Sequence, residues 1–118
     1  MRYSFLIFAL IAAPVMADPV EITAVEATRQ GDSWRFDVTV RHPDTGWDHY
    51  ADGWRVEDAQ GNPLAMRVLT HPHVNEQPFT RSQSGVVIPD GMGEVFVRAR
   101  CNVDGWNADT TVFVLPAQ

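Results

Sequence analysis

Apolar and polar residues alternate along most of the chain with the period of two that marks a β-strand with one buried face. The stretch from Trp34 to Arg41 has the clearest alternation, and its apolar face carries Trp34, Phe36, Val38 and Val40. A second clear stretch runs from Glu94 to Asn102, and its apolar face carries Val95, Val97, Ala99 and Cys101. No stretch has the 3.6-residue period of an amphipathic helix. The pattern therefore predicts an all-β protein.

Turn residues divide the chain into short strands at intervals of about ten residues. The predicted strands are Val20–Thr28, Trp34–Arg41, Gly53–Asp58, Leu64–Thr70, Phe79–Ile88, Glu94–Asn102 and Thr110–Leu115. Seven short strands in a chain of about this length are typical of two packed sheets. We therefore predict a single domain with an immunoglobulin- or fibronectin-like sandwich of about seven antiparallel strands.

Two residues of these strands are predicted to lie in the core. Trp54, in the third strand, is expected to pack there as sandwich tryptophans commonly do. Cys101 is the only cysteine, so an internal disulfide is excluded, and we expect a buried thiol that serves packing. It lies where immunoglobulin domains carry the second cysteine of their bridge, but the second strand offers Val38 and Val40 as its partners.

The fourth strand places three apolar residues on one face: Leu64, Met66 and Val68.

Residues 1–17 have the pattern of a secretory signal peptide. Arg2 lies near the N-terminus, an apolar run extends from Phe5 to Ala13, and small residues precede the predicted cleavage after Ala17. The apolar run is shorter than the roughly 20 residues that a membrane-spanning helix needs. We therefore predict a signal peptide over residues 1–17 and a β-sandwich domain over residues 18–118. The protein is expected to be periplasmic or secreted, with no membrane insertion after cleavage.

The chain is acidic, since 9 Arg, no Lys and 15 Asp and Glu give a net charge of -6. Removal of the first 17 residues takes away Arg2 and no acidic residue, which leaves 8 Arg against 15 acids and a net charge of -7. Phosphate backbones bind surfaces rich in Lys and Arg, so this composition excludes nucleic acid as a partner.

Two irregular stretches, Pro43–Asp52 and His71–Pro78, are longer than a hairpin requires, and such loops commonly carry binding residues. In His71-Pro72-His73, the two imidazoles face the same side of an extended backbone, where they can bind one metal ion. Imidazoles suit zinc and copper. The candidate copper or zinc site therefore consists of His71 and His73, with a third ligand from His49 in the other irregular loop or from Glu76.

Two observations limit this metal site. The imidazoles can instead bond to backbone carbonyls and orient a turn, which is the structural alternative. A blue-copper site is disfavoured, because no His or Met follows Cys101 at short spacing.

Aromatic residues and one arginine form a second candidate site. The aromatic residues are Trp47, Tyr50 and Trp106. If exposed near each other, their rings can stack on a sugar or on a peptide aromatic; the alternative is that the tryptophans cover one end of the sandwich. Arg81 can bind an anion through two parallel hydrogen bonds. We favour instead a structural pairing of Arg81 with Asp48 or Asp52, which would join the two irregular loops.

No combination of residues indicates catalysis, since the sequence offers no Ser-His-Asp set, no glycine-rich phosphate loop and no distinctive carboxylate pair. We predict that the protein is not an enzyme but an exported, soluble binding or accessory module whose partner is a protein or a small ligand. Two alternatives stay open. One is a small copper- or zinc-binding protein that uses the His-Pro-His loop, and the other is a carbohydrate or peptide binder that uses its Trp and Tyr residues.

The segments GWDHYADGWRV (Gly46–Val56) and HPHVNEQPFTRS (His71–Ser82) resemble a group of small, uncharacterised secreted proteins of proteobacteria. The strand Val95–Cys101 and the pair Gly105-Trp106 resemble them less closely. The resemblance implies no activity, but it does imply that the two irregular loops belong together.

Overall fold

The computed structural model describes residues 18–117, so the predicted signal peptide and its cleavage site after Ala17 lie outside the described residues. Residues 18–117 contain no helix, and therefore none that could cross a membrane. Their strands are β1 (Glu21–Gln30), β2 (Ser33–Arg41), β3 (Ala51–Glu57), β4 (Pro63–Val68), β5 (Phe79–Val86), β6 (Glu94–Cys101), β7 (Gly105–Trp106) and β8 (Thr111–Val114).

The strands form two antiparallel sheets. The smaller sheet has the order β1-β2-β5, and the larger has the order β4-β3-β6, with β7 and β8 each pairing with a different part of β6. The prediction of an all-β sandwich is confirmed, and each of the seven predicted strands is present. The two-residue strand β7 was not predicted. The immunoglobulin- or fibronectin-like topology stays a prediction.

Alternation along the strands determines which residues fill the space between the sheets. In β2 and β6 every second residue is buried, as the sequence predicts. Trp54 and Phe36 are the largest side chains that are fully buried. Cys101 is 2% exposed and packs in the same core. The core positions predicted for Trp54 and Cys101 are therefore confirmed.

Two of the three apolar residues predicted to share a face of β4, Met66 and Val68, point away from the core, whereas Leu64 is half-buried and packs against it. Met66 is 45% exposed and Val68 is 56% exposed. Their partners across the sheet are Arg55 and Gly53. The inner side of β4 instead carries Arg67, which donates a hydrogen bond to the Ser82 carbonyl of β5. Because β4 is an edge strand, this polar contact closes the side of the sandwich.

The outer face of the larger sheet carries a network of arginines and carboxylates. Glu57 is 1% exposed and accepts hydrogen bonds from Arg55 at 2.6 Å and from Arg98 at 2.8 Å. Arg100 donates to Asp52 at 2.8 Å. Burial alone would raise the pKa of Glu57, but the bonds and charges of Arg98 and Arg55 outweigh it and lower that pKa below its ordinary 4.5. The arginines therefore form a salt-bridged face whose central carboxylate is buried.

Replacement of Glu57 by glutamine is expected to reduce the free energy of unfolding by about 1–3 kcal/mol at pH 7, because charge-assisted hydrogen bonds are lost. A carboxyl whose pKa is lowered by folding stabilises above its unfolded pKa, and this contribution is lost as the pH falls through the folded pKa. Urea denaturation should therefore separate the wild type from Glu57→Gln at pH 7 and bring them together in acid. The exposed Glu94→Gln is the matched control, and an equal loss in both variants would contradict the prediction.

Candidate metal centre

Two histidines and the cysteine meet at one end of the sandwich. His42 directly follows β2, His49 lies in the loop before β3, and Cys101 is the last residue of β6. His42 continues the inward positions of β2, just as Cys101 continues those of β6. Both therefore point between the sheets at the end where these strands stop.

The ligand atoms of the three residues converge. One ring nitrogen of His42, one of His49 and the Cys101 sulfur all lie within 4.8 Å of one another. The rings of His42 and His49 contact edge to face, with centroids 4.7 Å apart. His49 Nε2 is 3.6 Å from Cys101 Sγ. Zinc bond lengths to N and S imply that two such ligands of one ion lie about 3.5–3.8 Å apart. The His49–Cys101 pair therefore already has the separation of two ligands that share an ion.

His42 is oriented as metal-binding histidines usually are. Its side chain is fully buried, and its Nδ1 lies 2.6 Å from Asp44 Oδ1. Within residues 18–117, its Nε2 has no hydrogen-bond partner. Buried polar atoms are rarely left unpaired. A carboxylate that holds one ring nitrogen while the other binds the ion is the common arrangement around histidine ligands.

Asp44 joins the two irregular loops and supports His42. Besides the His42 ring, its carboxylate accepts hydrogen bonds from the backbone N–H of Ala51 at 3.0 Å and of His73 at 2.9 Å. The carboxylate itself is fully buried. Its three bonds therefore fix the end of β2, the start of β3 and the His-Pro-His loop relative to one another.

Asn102 holds the loop that carries His49. Its side-chain amide donates to the carbonyls of Trp47 and Asp48, and its side-chain oxygen accepts from the Tyr50 N–H at 2.8 Å. Within the loop, the His49 N–H donates to the carbonyl of Gly46, whose φ of 142° favours glycine. His49 is therefore placed beside Cys101 by a residue adjacent to the cysteine.

The Cys101 thiol is buried and protonated in the absence of metal. Burial raises its pKa, and this effect exceeds the opposite effect of the backbone N–H groups of Asp104 and Val103. The thiol donates to Asp104 Oδ2 at 3.4 Å, and the sulfur accepts from the Asp104 N–H at 3.3 Å. Asp104 Oδ2 also lies 4.0 Å from His49 Nε2. A carboxylate thus stands at the partly exposed side of the cluster.

The four predicted metal ligands are not brought together. His49 lies with His42 and Cys101, which form the one such group among the described residues. His71 and His73 do lie side by side, with ring centroids 4.6 Å apart, but Glu76 is exposed. The His73 ring stacks on Phe79 and its Nε2 accepts a hydrogen bond from Arg81. Its partner is a cation, which disfavours a metal ion at the same nitrogen.

Titration of His73 is expected to weaken the fold in mild acid. Burial lowers its pKa below the ordinary 6.5, and the charges of Arg81 and His71 lower it further. The neutral ring is favoured in the folded protein, so its stabilisation is present above about pH 6.5 and is lost as the pH falls. The free energy of unfolding should therefore fall less between pH 7.5 and 5.5 in His73→Phe than in wild type. His71→Gln should have a slope between those of wild type and His73→Phe, because it removes only the contribution of the His71 charge to the His73 shift. Equal slopes in wild type and His73→Phe would contradict the prediction.

The predicted pairing of Arg81 with Asp48 or Asp52 was wrong. Arg81 donates to His73 and to the Thr80 carbonyl, and it forms no salt bridge among residues 18–117. It lies in β5 of the smaller sheet, whereas Asp52 lies in β3 of the larger sheet and is bound by Arg100. Arg81 does fix the His-Pro-His loop, but through an imidazole.

The aromatic residues predicted to bind a sugar or a peptide fall into two places. Trp47 is 65% exposed and meets Tyr50 edge to face, with centroids 5.6 Å apart. Trp106 instead lies under the guanidinium groups of Arg55, 4.2 Å from its ring centroid, and Arg100 at 5.3 Å. The steep angle of 74° between Trp47 and Tyr50 leaves no flat shared platform.

The sequence interpretation did not include His42 among the candidate ligands, and it assigned Cys101 to packing. The available signal was the alternation itself, because His42 follows Val40 by two positions on the buried face of β2. A polar residue that extends an apolar face opposite a buried thiol indicates a shared role at that end of the sandwich.

Comparison with known proteins gives one informative match. A protein of Halomicrobium mukohataei named "Putative lipoprotein" is 38% identical over 95 residues, which cover 78% of this chain and 46% of the relative. The chain thus spans less than half the length of this relative. No protein family matches the chain, and no solved structure gives a significant match.

Proposed function

We propose that this is an exported protein that binds one transition-metal ion, copper in preference to zinc, through His42, His49 and Cys101. Two observations carry the proposal: one ligand atom from each of the three side chains lies within 4.8 Å of the others, and the buried Nε2 of His42 has no hydrogen-bond partner among residues 18–117. Two imidazoles and a thiolate are ligands that both copper and zinc accept. Sites of a given ligand type generally bind Cu²⁺ more tightly than Zn²⁺.

Export is supported by two independent features. Residues 1–17 have the composition of a signal peptide. The relative from Halomicrobium mukohataei carries a lipoprotein name, which belongs to proteins of the cell envelope. Such a location suits a small accessory protein that binds a metal ion or delivers it to a partner.

The same cluster does not suit a cysteine nucleophile, so we propose that the protein is not an enzyme. A reactive thiol is partly exposed and has a lowered pKa, whereas Cys101 is 2% exposed and burial raises its pKa. The nearby Asp104 approaches the same His49 nitrogen that faces the sulfur, rather than the opposite one. It therefore does not orient the imidazole as the third member of a catalytic triad does.

Metal titration of the purified, metal-free protein tests the proposal. Isothermal titration and native mass spectrometry should give one Cu²⁺ per chain, with Zn²⁺ competing for the same site. The variants Cys101→Ala and His42→Gln should each weaken binding by at least about tenfold, since even residues that only support ligands contribute 10–100-fold.

The double variant His71→Ala/His73→Ala is the matched control. It removes two imidazoles, as many as the proposed centre contains, from the neighbouring loop. It should bind copper as the wild type does. Loss of binding in the double variant with retention in Cys101→Ala would refute the proposed centre and favour the His-Pro-His loop.

A further inference from the structure

We infer that the centre, when it holds copper, transfers single electrons by cycling between Cu(II) and Cu(I). The inference rests on the proposed function and extends it from binding to redox activity. In the reducing step, Cu(II) gains one electron from a one-electron carrier protein, which is oxidised by one electron. The three protein–copper bonds stay in place, and no proton or ligand needs to leave.

The ligand set serves both oxidation states. Thiolate is a soft ligand that favours Cu(I), while the imidazoles of His42 and His49 also suit Cu(II). Two imidazoles and one thiolate are the trigonal ligand set that supports electron transfer at copper in proteins. The sequence argument against a blue-copper site considered only residues that follow Cys101, whereas both histidines of this set precede it. The edge-to-face rings of His42 and His49, with the Cys101 sulfur 3.6 Å from His49, place the donors around a common point.

The ligands are held so that their positions need not change with oxidation state. His42 and Cys101 belong to the ends of β2 and β6, and both side chains are buried in a close-packed core. Asp44 fixes the His42 ring, while Asn102 fixes the loop of His49 through three hydrogen bonds. A site whose geometry barely relaxes exchanges electrons with little structural cost.

The surroundings of the sulfur favour a tuned redox centre. The backbone N–H of Asp104 points at Cys101 Sγ, with a separation of 3.3 Å. Hydrogen bonding and apolar burial around the cysteine sulfur set the potential of such copper sites. A backbone donor withdraws charge from the thiolate and so favours the reduced state.

Only one ligand offers the electron a route to the surface. His42 and Cys101 are buried, whereas the His49 side chain is 25% exposed. Trp47, two positions before His49, is the most exposed aromatic side chain of this end. The exposed edge of the His49 ring is therefore where a one-electron carrier would have to approach.

The test is a redox titration of the copper-loaded protein. After loading with one equivalent of Cu²⁺, the protein should have an intense visible sulfur-to-copper charge-transfer band. Anaerobic ascorbate should remove the band after one electron per copper, and ferricyanide should restore it with an unchanged count of free thiol after unfolding. The zinc-loaded protein is the blank and should have no such band.

The outcomes separate the two proposals. Absence of one-to-one copper binding would refute the proposed function. Stoichiometric copper binding without the band, or with irreversible bleaching and disulfide-linked dimers, would refute the redox inference and leave the binding function intact.

The two histidines supply a second measurement. In His49→Gly, added imidazole should enter through the exposed edge and restore the band. In His42→Gly, the same imidazole concentration should restore much less, because that position is closed to solvent. Equal restoration in both variants would contradict the assigned electron route.

Discussion

Replacement of Asp44 by alanine is expected to reduce the free energy of unfolding by about 3–5 kcal/mol, because three hydrogen-bond donors around a buried carboxylate lose their partner. The buried carboxylate accepts bonds from the His42 ring and from the backbone N–H groups of Ala51 and His73. Alanine would leave all three donors without a partner inside the protein, and each unsatisfied donor costs about 1–3 kcal/mol. The loss is a large part of the stability of a domain of this size, which is about 5–15 kcal/mol.

Urea denaturation of the metal-free proteins measures this effect. Asp48→Ala, an exposed carboxylate in the same loop, is the matched control and should stay within about 0.5 kcal/mol of wild type. The free energy of unfolding of Asp44→Asn should lie between those of wild type and Asp44→Ala. Its amide oxygen can accept some of the hydrogen bonds, while its NH₂ group faces other donors. If Asp44→Ala were as stable as Asp48→Ala, Asp44 could not be what joins the loops.

Asp44 variants also test the proposed metal centre. Loss of the carboxylate that orients a ligand histidine typically lowers metal affinity 10–100-fold. Asp44→Asn should therefore bind copper about that much more weakly than wild type while still folding. The ratio of the copper affinities of wild type and Asp44→Asn, measured by competition with a chelator, reports on this orienting role. Urea denaturation of the same two proteins reports on the structural role.

Local alternation was sufficient to predict the strands because each strand has one buried face. The buried positions of β2 and β6 follow from a period of two, and so do their approximate bounds. The outward direction of Met66 and Val68 did not follow, since it depends on β4 being an edge strand. The two-residue strand β7 is too short to leave a periodic signal.

The site was harder to predict because its members are far apart in sequence. His-Pro-His is a local motif that indicates a metal site from sequence alone. In the structure, however, the His73 ring stacks on Phe79 and is hydrogen-bonded to Arg81. The proximity of His42 and Cys101 depends on the relative register of strands in opposite sheets. Alternation places each residue on a buried face, but only the packed structure puts both at the same end.

Copper is expected to raise the melting temperature of wild type much more than that of Cys101→Ala. A ligand at about 100 times its Kd stabilises the folded state by about 2.7 kcal/mol. Because about 1 kcal/mol corresponds to about 4–8 °C in a domain of roughly this size, the wild-type shift should be about 10 °C or more. The measurement is a thermal melt followed by circular dichroism, with and without excess metal.

The same pair of melts decides between a ligand and a packing residue at Cys101. A cysteine that only fills space can be exchanged for alanine at a cost of about 1 kcal/mol, and that cost is independent of metal. If Cys101 is a ligand, the cost of its replacement does depend on metal, because most of its contribution to stability exists only when the ion is bound. We therefore expect a small difference between wild type and Cys101→Ala without metal and a large one with copper. An equal difference in both conditions would assign Cys101 to packing and leave the unpaired Nε2 of His42 without a role.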